Sequence, residues 1–138
     1  MNNEKTITIC GKEVKMRYCA ATENGFELMS NKKISVFSPL FGKDDKGEDI
    51  VIEPAKATTQ DFLYLAVAAI IAAYERIGEE SPIDAKEIIY DAKPAEIMEL
   101  VRTIIEIRAA WYEVPLVLKE QIEKDQADQK EEEQQKNA

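Results

Sequence analysis

Residues 58–78 read TTQDFLYLAVAAIIAAYERIG and carry the strongest helix signal in the chain. Either threonine at its start can cap a helix, and Gly78 is placed to end one. Between them, two adjacent apolar stripes cover most of the helix circumference, so the helix must be buried on several sides. We therefore predict that this helix forms the centre of the core and that its five alanines let neighbouring elements approach closely.

Residues 6–18 alternate between apolar and polar side chains, which is typical of half-buried strands. The Gly11-Lys12 pair between two such runs predicts a β-hairpin with a two-residue turn, in which Ile9 lies opposite Val14. The hairpin then has one apolar face that helices must cover, formed by Ile7, Ile9, Val14, Met16 and Tyr18. The same register separates Cys10 from Cys19 by close to 20 Å, so we expect two free thiols, each a small buried hydrophobe.

Three further helices are predicted around this centre. Thr22 can cap a helix over residues 23–30, and Asp84 can start a short one. Pro94 suits the first turn of an amphipathic helix that stops before Pro115. Its apolar stripe contains Ile97, Leu100, Val101, Ile104, Ile105, Arg108 and Trp111, and its opposite side Glu99, Arg102, Thr103 and Glu106. Residues 34–37 fit either a short strand or a helical turn, and residues 42–48 predict a mobile surface loop.

The last twenty residues differ in character from the rest of the chain. Residues 119–138 hold four lysines and seven acidic residues, which leaves a net charge of −6 on the first 118 residues. We expect this charged tail to be a solvated helix or disordered. The predicted fold class is therefore α+β, with an N-terminal β-hairpin packed against a small bundle of three or four helices in a single globular domain of residues 1–118.

The composition argues against several classes of function. The chain has 138 residues, 18 of them basic, 27 acidic and none histidine, so the commonest general base and metal ligand is missing. The net charge of −9 argues against a nucleic-acid partner. The longest apolar run has 13 residues, fewer than the roughly 20 that a membrane span requires, and no signal peptide is recognisable. We expect a cytoplasmic protein that is not an enzyme and binds no cofactor, metal or membrane.

One end of the last helix carries the candidate partner-binding residues. Large amphipathic aromatic residues beside an uncovered apolar segment are typical of interface hot spots. The candidates are Arg108, Trp111, Tyr112, Leu116 and Val117, with the arginine as an anchor for a carboxylate of a partner. The alternative interpretation is that Trp111 closes the core and that Arg108 pairs with Glu106 or Glu113.

Several of these segments together resemble a known family. They are residues 7–14 (ITICGKEV), Arg17-Tyr18 with residues 20–27 (AATENGFE), residues 61–63 (DFL) and residues 108–112 (RAAWY). In this layout the chain is similar to tail assembly chaperones of Bacteroidetes phages and prophages. The resemblance implies a noncatalytic protein that binds the tape measure protein and recruits tail tube subunits. It also implies self-association, as in several members, and a second, frameshifted length, as in many.

The acidity of the chain supports an alternative function. A charge of −9 fits an acidic phage-encoded inhibitor, or a DNA mimic, that occupies the groove of a basic host protein. A mimic presents its charges in a regular array, however, whereas the acidic residues here are predicted to lie on ordinary helix exteriors and in the tail. The sequence therefore favours the chaperone.

Overall fold

A computed structural model describes residues 2–112, apart from the side chains of residues 85 and 86, and its fold is α+β. In chain order the elements are β1 (Glu4–Ile9), β2 (Lys12–Arg17), α1 (Ala20–Ser30), a 3₁₀ helix (Ile34–Phe37), β3 (Leu40–Lys43), β4 (Asp49–Glu53), α2 (Thr59–Ile77), α3 (Ala85–Asp91) and α4 (Pro94–Tyr112). The predicted packing of an N-terminal hairpin against helices is confirmed. The predicted tail of residues 119–138 and the last part of the predicted domain lie outside the described residues.

Helix α2 is the centre of the core, as predicted. The Thr58 hydroxyl accepts a hydrogen bond from the Asp61 backbone N–H at 3.2 Å, and the Asp61 carboxylate accepts one from the Thr58 N–H at 2.9 Å. This reciprocal capping box starts the helix, and Gly78, with φ of 70°, ends it. Between the caps, α2 contacts β2, α1, α3 and α4.

The β1–β2 hairpin forms with a different turn from the predicted one. Cys10 and Gly11, with φ of 52° and 75°, are the turn residues, so that Ile9 pairs with Lys12 and Ile7 with Val14. Two successive residues with positive φ match the right-handed twist of the flanking strands, which explains the choice. Because the register is shifted by two residues, every side chain keeps its predicted face, and the apolar face is buried.

The two cysteines are free thiols, as predicted. Cys10 lies exposed in the turn, so its predicted burial was wrong. Cys19 is the N-cap of α1, which begins at Ala20 and not after Thr22. The Thr22 hydroxyl accepts a hydrogen bond from the Cys19 N–H at 3.1 Å and donates one to the Arg17 carbonyl at 2.6 Å. Thr22 therefore stabilises the first turn from within the helix instead of preceding it.

A second hairpin, β3–β4, occupies the region predicted as a mobile loop. The Asp44 carboxylate accepts hydrogen bonds from the Lys46 and Glu48 backbone N–H groups, each at 2.9 Å, and thereby orders the connection. Among the described elements, β3 and β4 pair with each other alone. The exposed apolar side chains of this hairpin are Leu40, Phe41, Ile50, Val51 and Ile52.

Helix α4 begins at Pro94, as predicted, and continues to Tyr112, the last described residue. Its buried face includes Thr103, which is 2% exposed, so the predicted solvent position of this residue was wrong. Along the described part of the chain, no helix combines the length and the apolar character that crossing a bilayer requires.

Candidate partner-binding site

Helix α4 carries two apolar seams, which the sequence analysis had merged into one stripe. The first seam, with Leu100, Ile104 and Ile107, is completely buried in the core. The second lies beside it at the surface and repeats at spacings of three and four residues. We call this second seam the exposed α4 stripe; its members are Met98, Val101, Ile105, Arg108 and Tyr112. Met98 is 74% exposed and Ile105 is 49% exposed, so the stripe offers a long apolar surface to a partner.

A shallow apolar depression of about 440 Å³ lies over the first half of this stripe. Thr59, which the capping box of α2 fixes in place, forms one part of its wall. Its other lining residues come from α4: Ile97, Met98, Val101, Arg102, Ile105 and Glu106. The two charged side chains at its border form ion pairs with residues outside the depression, Arg102 with Glu99 and Glu106 with Lys5. The depression is therefore shaped for apolar side chains.

Arg108 lies at the other end of the stripe, held between aromatic rings. Its guanidinium carbon is 5.8 Å from the ring centre of Phe37 and 5.0 Å from that of Tyr112. The Phe37 ring is itself fixed, since the Phe26 and Phe62 rings contact it edge-on with centres 4.9 Å away. The Nε of Arg108 is buried and has no hydrogen-bond partner.

The proposed pairing of Arg108 with Glu106 was wrong, because Glu106 binds Lys5 of β1. The other suggested partner, Glu113, lies outside the described residues. Tyr112, whose ring contacts Arg108, donates a hydrogen bond to the Oε2 atom of Glu23, which also accepts one from Tyr18 at 2.7 Å. The positive charge of Arg108 is therefore left without an ion pair in the described part of the chain.

The phenols of Tyr18 and Tyr112 act as neutral hydrogen-bond donors. Burial raises the pKa of the Tyr18 phenol, and the hydrogen bond to the Glu23 carboxylate raises it further. The same two causes raise the pKa of the Tyr112 phenol. Because both phenols stay protonated at neutral pH, neither is prepared to act as a nucleophile or a general base. The hydrogen bond of Tyr112 instead ties the end of α4 to Glu23 in the first turn of α1, and that of Tyr18 holds the same carboxylate from the segment before α1.

The aromatic candidates lie at the surface. Trp111 is 43% exposed and Tyr112 is 55% exposed, so Trp111 does not close the core. The structure thus brings together three of the predicted residues, Arg108, Trp111 and Tyr112. Leu116 and Val117 lie outside the described residues. Met98 was not among the predicted site residues. The pattern that could have identified it is the second series of residues with spacings of three and four, which begins at Met98.

A second apolar groove, of about 290 Å³, runs between α1 and α2. A Cβ atom added to Gly25 of α1 would lie 3.4 Å from the Cβ of Ala68, so the two helices are close there. Leu28 lines this groove and is 79% exposed. The groove lacks a charged anchor comparable to Arg108, since Glu75 is the sole ionisable residue in its lining.

Among residues 2–112, no three cysteine, aspartate or glutamate side chains gather closely enough to hold a metal ion. Comparison with known proteins finds no matching family model, no matching curated protein and no matching solved structure.

Proposed function

We propose that this protein is a noncatalytic phage tail assembly chaperone that acts in the host cytoplasm. It binds apolar helical segments of the tape measure protein and helps to recruit tail tube subunits. The observation that supports this function is the exposed α4 stripe, an apolar seam that the chain's own described core leaves open. Together with the resemblance of residues 7–27 and 108–112 to such chaperones, it favours binding over catalysis.

The stripe fits the recognition of a helix by a helix. A partner helix that carries apolar residues at spacings of three and four could lie along α4 and place these side chains against the surface between Met98 and Ile105. The depression between these residues would receive them, and its volume of about 440 Å³ suits one or two large side chains. Burial of this surface would stabilise the complex by roughly 25 cal/mol for each Å² of apolar area removed from water. Such binding would keep the partner's apolar segments from aggregating.

The distribution of charge supports the chaperone over the acidic inhibitor. Residues 2–112 contain 14 basic and 19 acidic side chains, a net charge of −5, which helps to keep a complex of apolar helices soluble. Six of the 19 described carboxylates form ion pairs with lysines or arginines of the chain: those of Glu4, Asp49, Glu53, Asp61, Glu99 and Glu106. A mimic of DNA would need such groups unpaired and facing its target.

The test is an affinity capture from cells in which the phage or prophage that carries this gene has been induced. The bait is the full chain or one of three variants, and captured proteins are identified by mass spectrometry. We expect wild type to recover the tape measure protein and the tube subunit. Met98→Glu and Ile105→Glu place a charge in the depression and should each reduce recovery at least tenfold. Leu28→Glu makes the same change at an equally exposed site on α1 and should leave recovery unchanged.

Two results would contradict the proposal. Equal recovery of the tape measure protein by wild type and Met98→Glu would show that the exposed α4 stripe is not its binding site. Recovery of a basic host protein that moderate salt releases would favour the acidic inhibitor, because an apolar interface loses little affinity in salt.

A further inference from the structure

We propose that Arg108 binds a side-chain carboxylate of the partner helix and so determines which helical segments the exposed α4 stripe accepts. This inference rests on the proposed function and deepens it, since it specifies the chemistry of the partner. The stripe then recognises a helix that carries an acidic residue one turn from its apolar residues.

Arg108 has a buried hydrogen-bond donor that lacks an acceptor. Among the residues that the structure describes, its Nε is the one buried side-chain nitrogen or oxygen without a hydrogen-bond partner. A buried donor that has given up water without gaining an acceptor destabilises the free protein. Binding a carboxylate would satisfy this donor and neutralise the guanidinium at the same time.

The groups that surround the Arg108 guanidinium hold it in place without forming an ion pair with it. The rings of Phe37 and Tyr112 restrict its orientation through their faces, and ring faces accept no strong hydrogen bond. The Oε2 atom of Glu23 accepts hydrogen bonds from the phenols of Tyr18 and Tyr112, and the ion pairs of the described residues do not include one between Glu23 and Arg108. An arginine that is fixed but unpaired loses little entropy when it binds a planar carboxylate through two parallel hydrogen bonds.

Arg108 lies one turn of α4 beyond the apolar part of the stripe. It follows Ile105 by three residues, so its Cα lies about 4.5 Å further along the helix axis. A partner helix with an apolar side chain over Ile105 would therefore present the residue three or four positions away to Arg108. A glutamate or aspartate at that position can reach the guanidinium. The pattern expected in the partner is an apolar residue followed or preceded by an acidic one at this spacing.

Two synthetic helical peptides test the inference. Both have one apolar face and no tryptophan; one carries a single glutamate one turn from a leucine, and the other carries glutamine there. Trp111 is the single tryptophan of the chain and lies three residues after Arg108, so its fluorescence reports binding at this place. We expect the wild-type full chain to bind the glutamate peptide about tenfold more tightly than the glutamine peptide.

The variants separate the role of Arg108 from a general loss of binding. Arg108→Gln should bind both peptides equally, and Arg108→Lys, which keeps the charge without the planar fork, should give an intermediate ratio. Arg76→Gln makes the matched change at an exposed arginine of α2, away from the exposed α4 stripe and its depression, and should keep the tenfold ratio. Because each ratio compares two peptides on one protein, a change in stability that affects both peptides cancels.

Each other outcome has a definite meaning. Equal binding of both peptides by wild type would overturn the role of Arg108 and leave the proposed function standing. A tenfold ratio that persists in Arg108→Gln would overturn it as well. If neither peptide bound to wild type, both the inference and the proposed function would be wrong.

Discussion

Replacement of Asp61 by alanine should weaken the fold at the helix that the whole core surrounds. The Asp61 side chain is almost fully buried at the start of α2. One of its oxygens, Oδ2, accepts a hydrogen bond from the Thr58 N–H at 2.9 Å, and both of its oxygens contact the Lys32 ammonium, at 3.0 and 3.2 Å. Asp61→Ala removes the capping box and the ion pair together. Asp61→Asn keeps one acceptor oxygen and removes only the charge.

The expected magnitude follows from these contacts. Loss of the charge-assisted hydrogen bond from the Thr58 N–H costs about 1–2 kcal/mol in the free energy of unfolding, although the Thr58 hydroxyl still caps the helix, and loss of a negative charge at a helix N-terminus costs about 0.5 kcal/mol. The Lys32 side chain is 48% exposed and can return to water, so its ion pair adds under about 0.5 kcal/mol. We therefore expect a loss of about 2 kcal/mol for Asp61→Ala and about 1 kcal/mol for Asp61→Asn, measured by urea unfolding followed by circular dichroism.

The pH dependence of this difference provides the sharper test. Burial raises the pKa of the Asp61 carboxyl, but the hydrogen bond from Thr58 and the Lys32 ammonium lower it by more, so the net pKa is below its ordinary value. A depressed pKa means that the carboxylate stabilises the fold above the unfolded pKa of about 4, and that this contribution is lost as the pH falls through the folded value.

The difference between wild type and Asp61→Asn should therefore be constant above about pH 5 and shrink below about pH 4. Asp49→Asn is the control, because that carboxylate is 82% exposed and its loss should change stability by less than about 0.5 kcal/mol. The reasoning would be refuted if Asp61→Ala unfolded like wild type, or if the deficit of Asp61→Asn increased in acid.

Three further predictions concern other parts of the fold. Ile70 is 2% exposed, so Ile70→Asp buries an unpaired charge and should abolish the cooperative melting transition in circular dichroism; an unchanged melting curve would contradict the central role of α2. Because the pKa of Tyr18 is raised, stability should fall as the pH rises above about 10, and an absorbance titration should show Tyr18 ionising only when the protein unfolds; Tyr18→Phe should remove part of this dependence. Cys10 has a positive φ in a turn followed by glycine, so Cys10→Asn should raise the calorimetric midpoint by a few degrees, whereas Cys10→Val should lower it.

The parts of the fold that were predictable are those in which burial and local signals agree. Helix α2 combines a threonine cap, an apolar circumference and a terminal glycine, and all three indicate the same boundaries. The face of the first hairpin was predictable for a similar reason, since alternation alone determines it. Its turn was not, because Gly11 can take either position of a two-residue turn and the neighbouring side chains do not distinguish the two registers. The β3–β4 hairpin was missed because its strands are short and its turn residues are also typical of loops.

The candidate site could be located from the sequence, but its geometry could not. Arg108 interrupts an apolar pattern and two aromatic residues follow it, and these features indicated that the candidate residues lie at the end of α4. Periodicity could not separate the buried seam from the exposed one, because both seams repeat at the same spacings of three and four residues. The ring of Phe37 over the guanidinium comes from a 3₁₀ helix some seventy residues earlier in the chain, a contact that no local pattern reveals.

Arg108 places a buried donor without a partner in an exposed apolar stripe, and each of these two features would be unfavourable alone. An apolar stripe at the surface invites indiscriminate association, and a buried donor without a partner lowers the stability of the free protein. Because both features lie in one stripe, the unpaired arginine limits which apolar helices can bind there. The guanidinium penalises any apolar helix that cannot supply an acceptor, because such a helix would bury the charge still further without pairing it. A helix with a correctly placed carboxylate meets no such penalty, so the same residue that weakens the free protein can make the stripe selective.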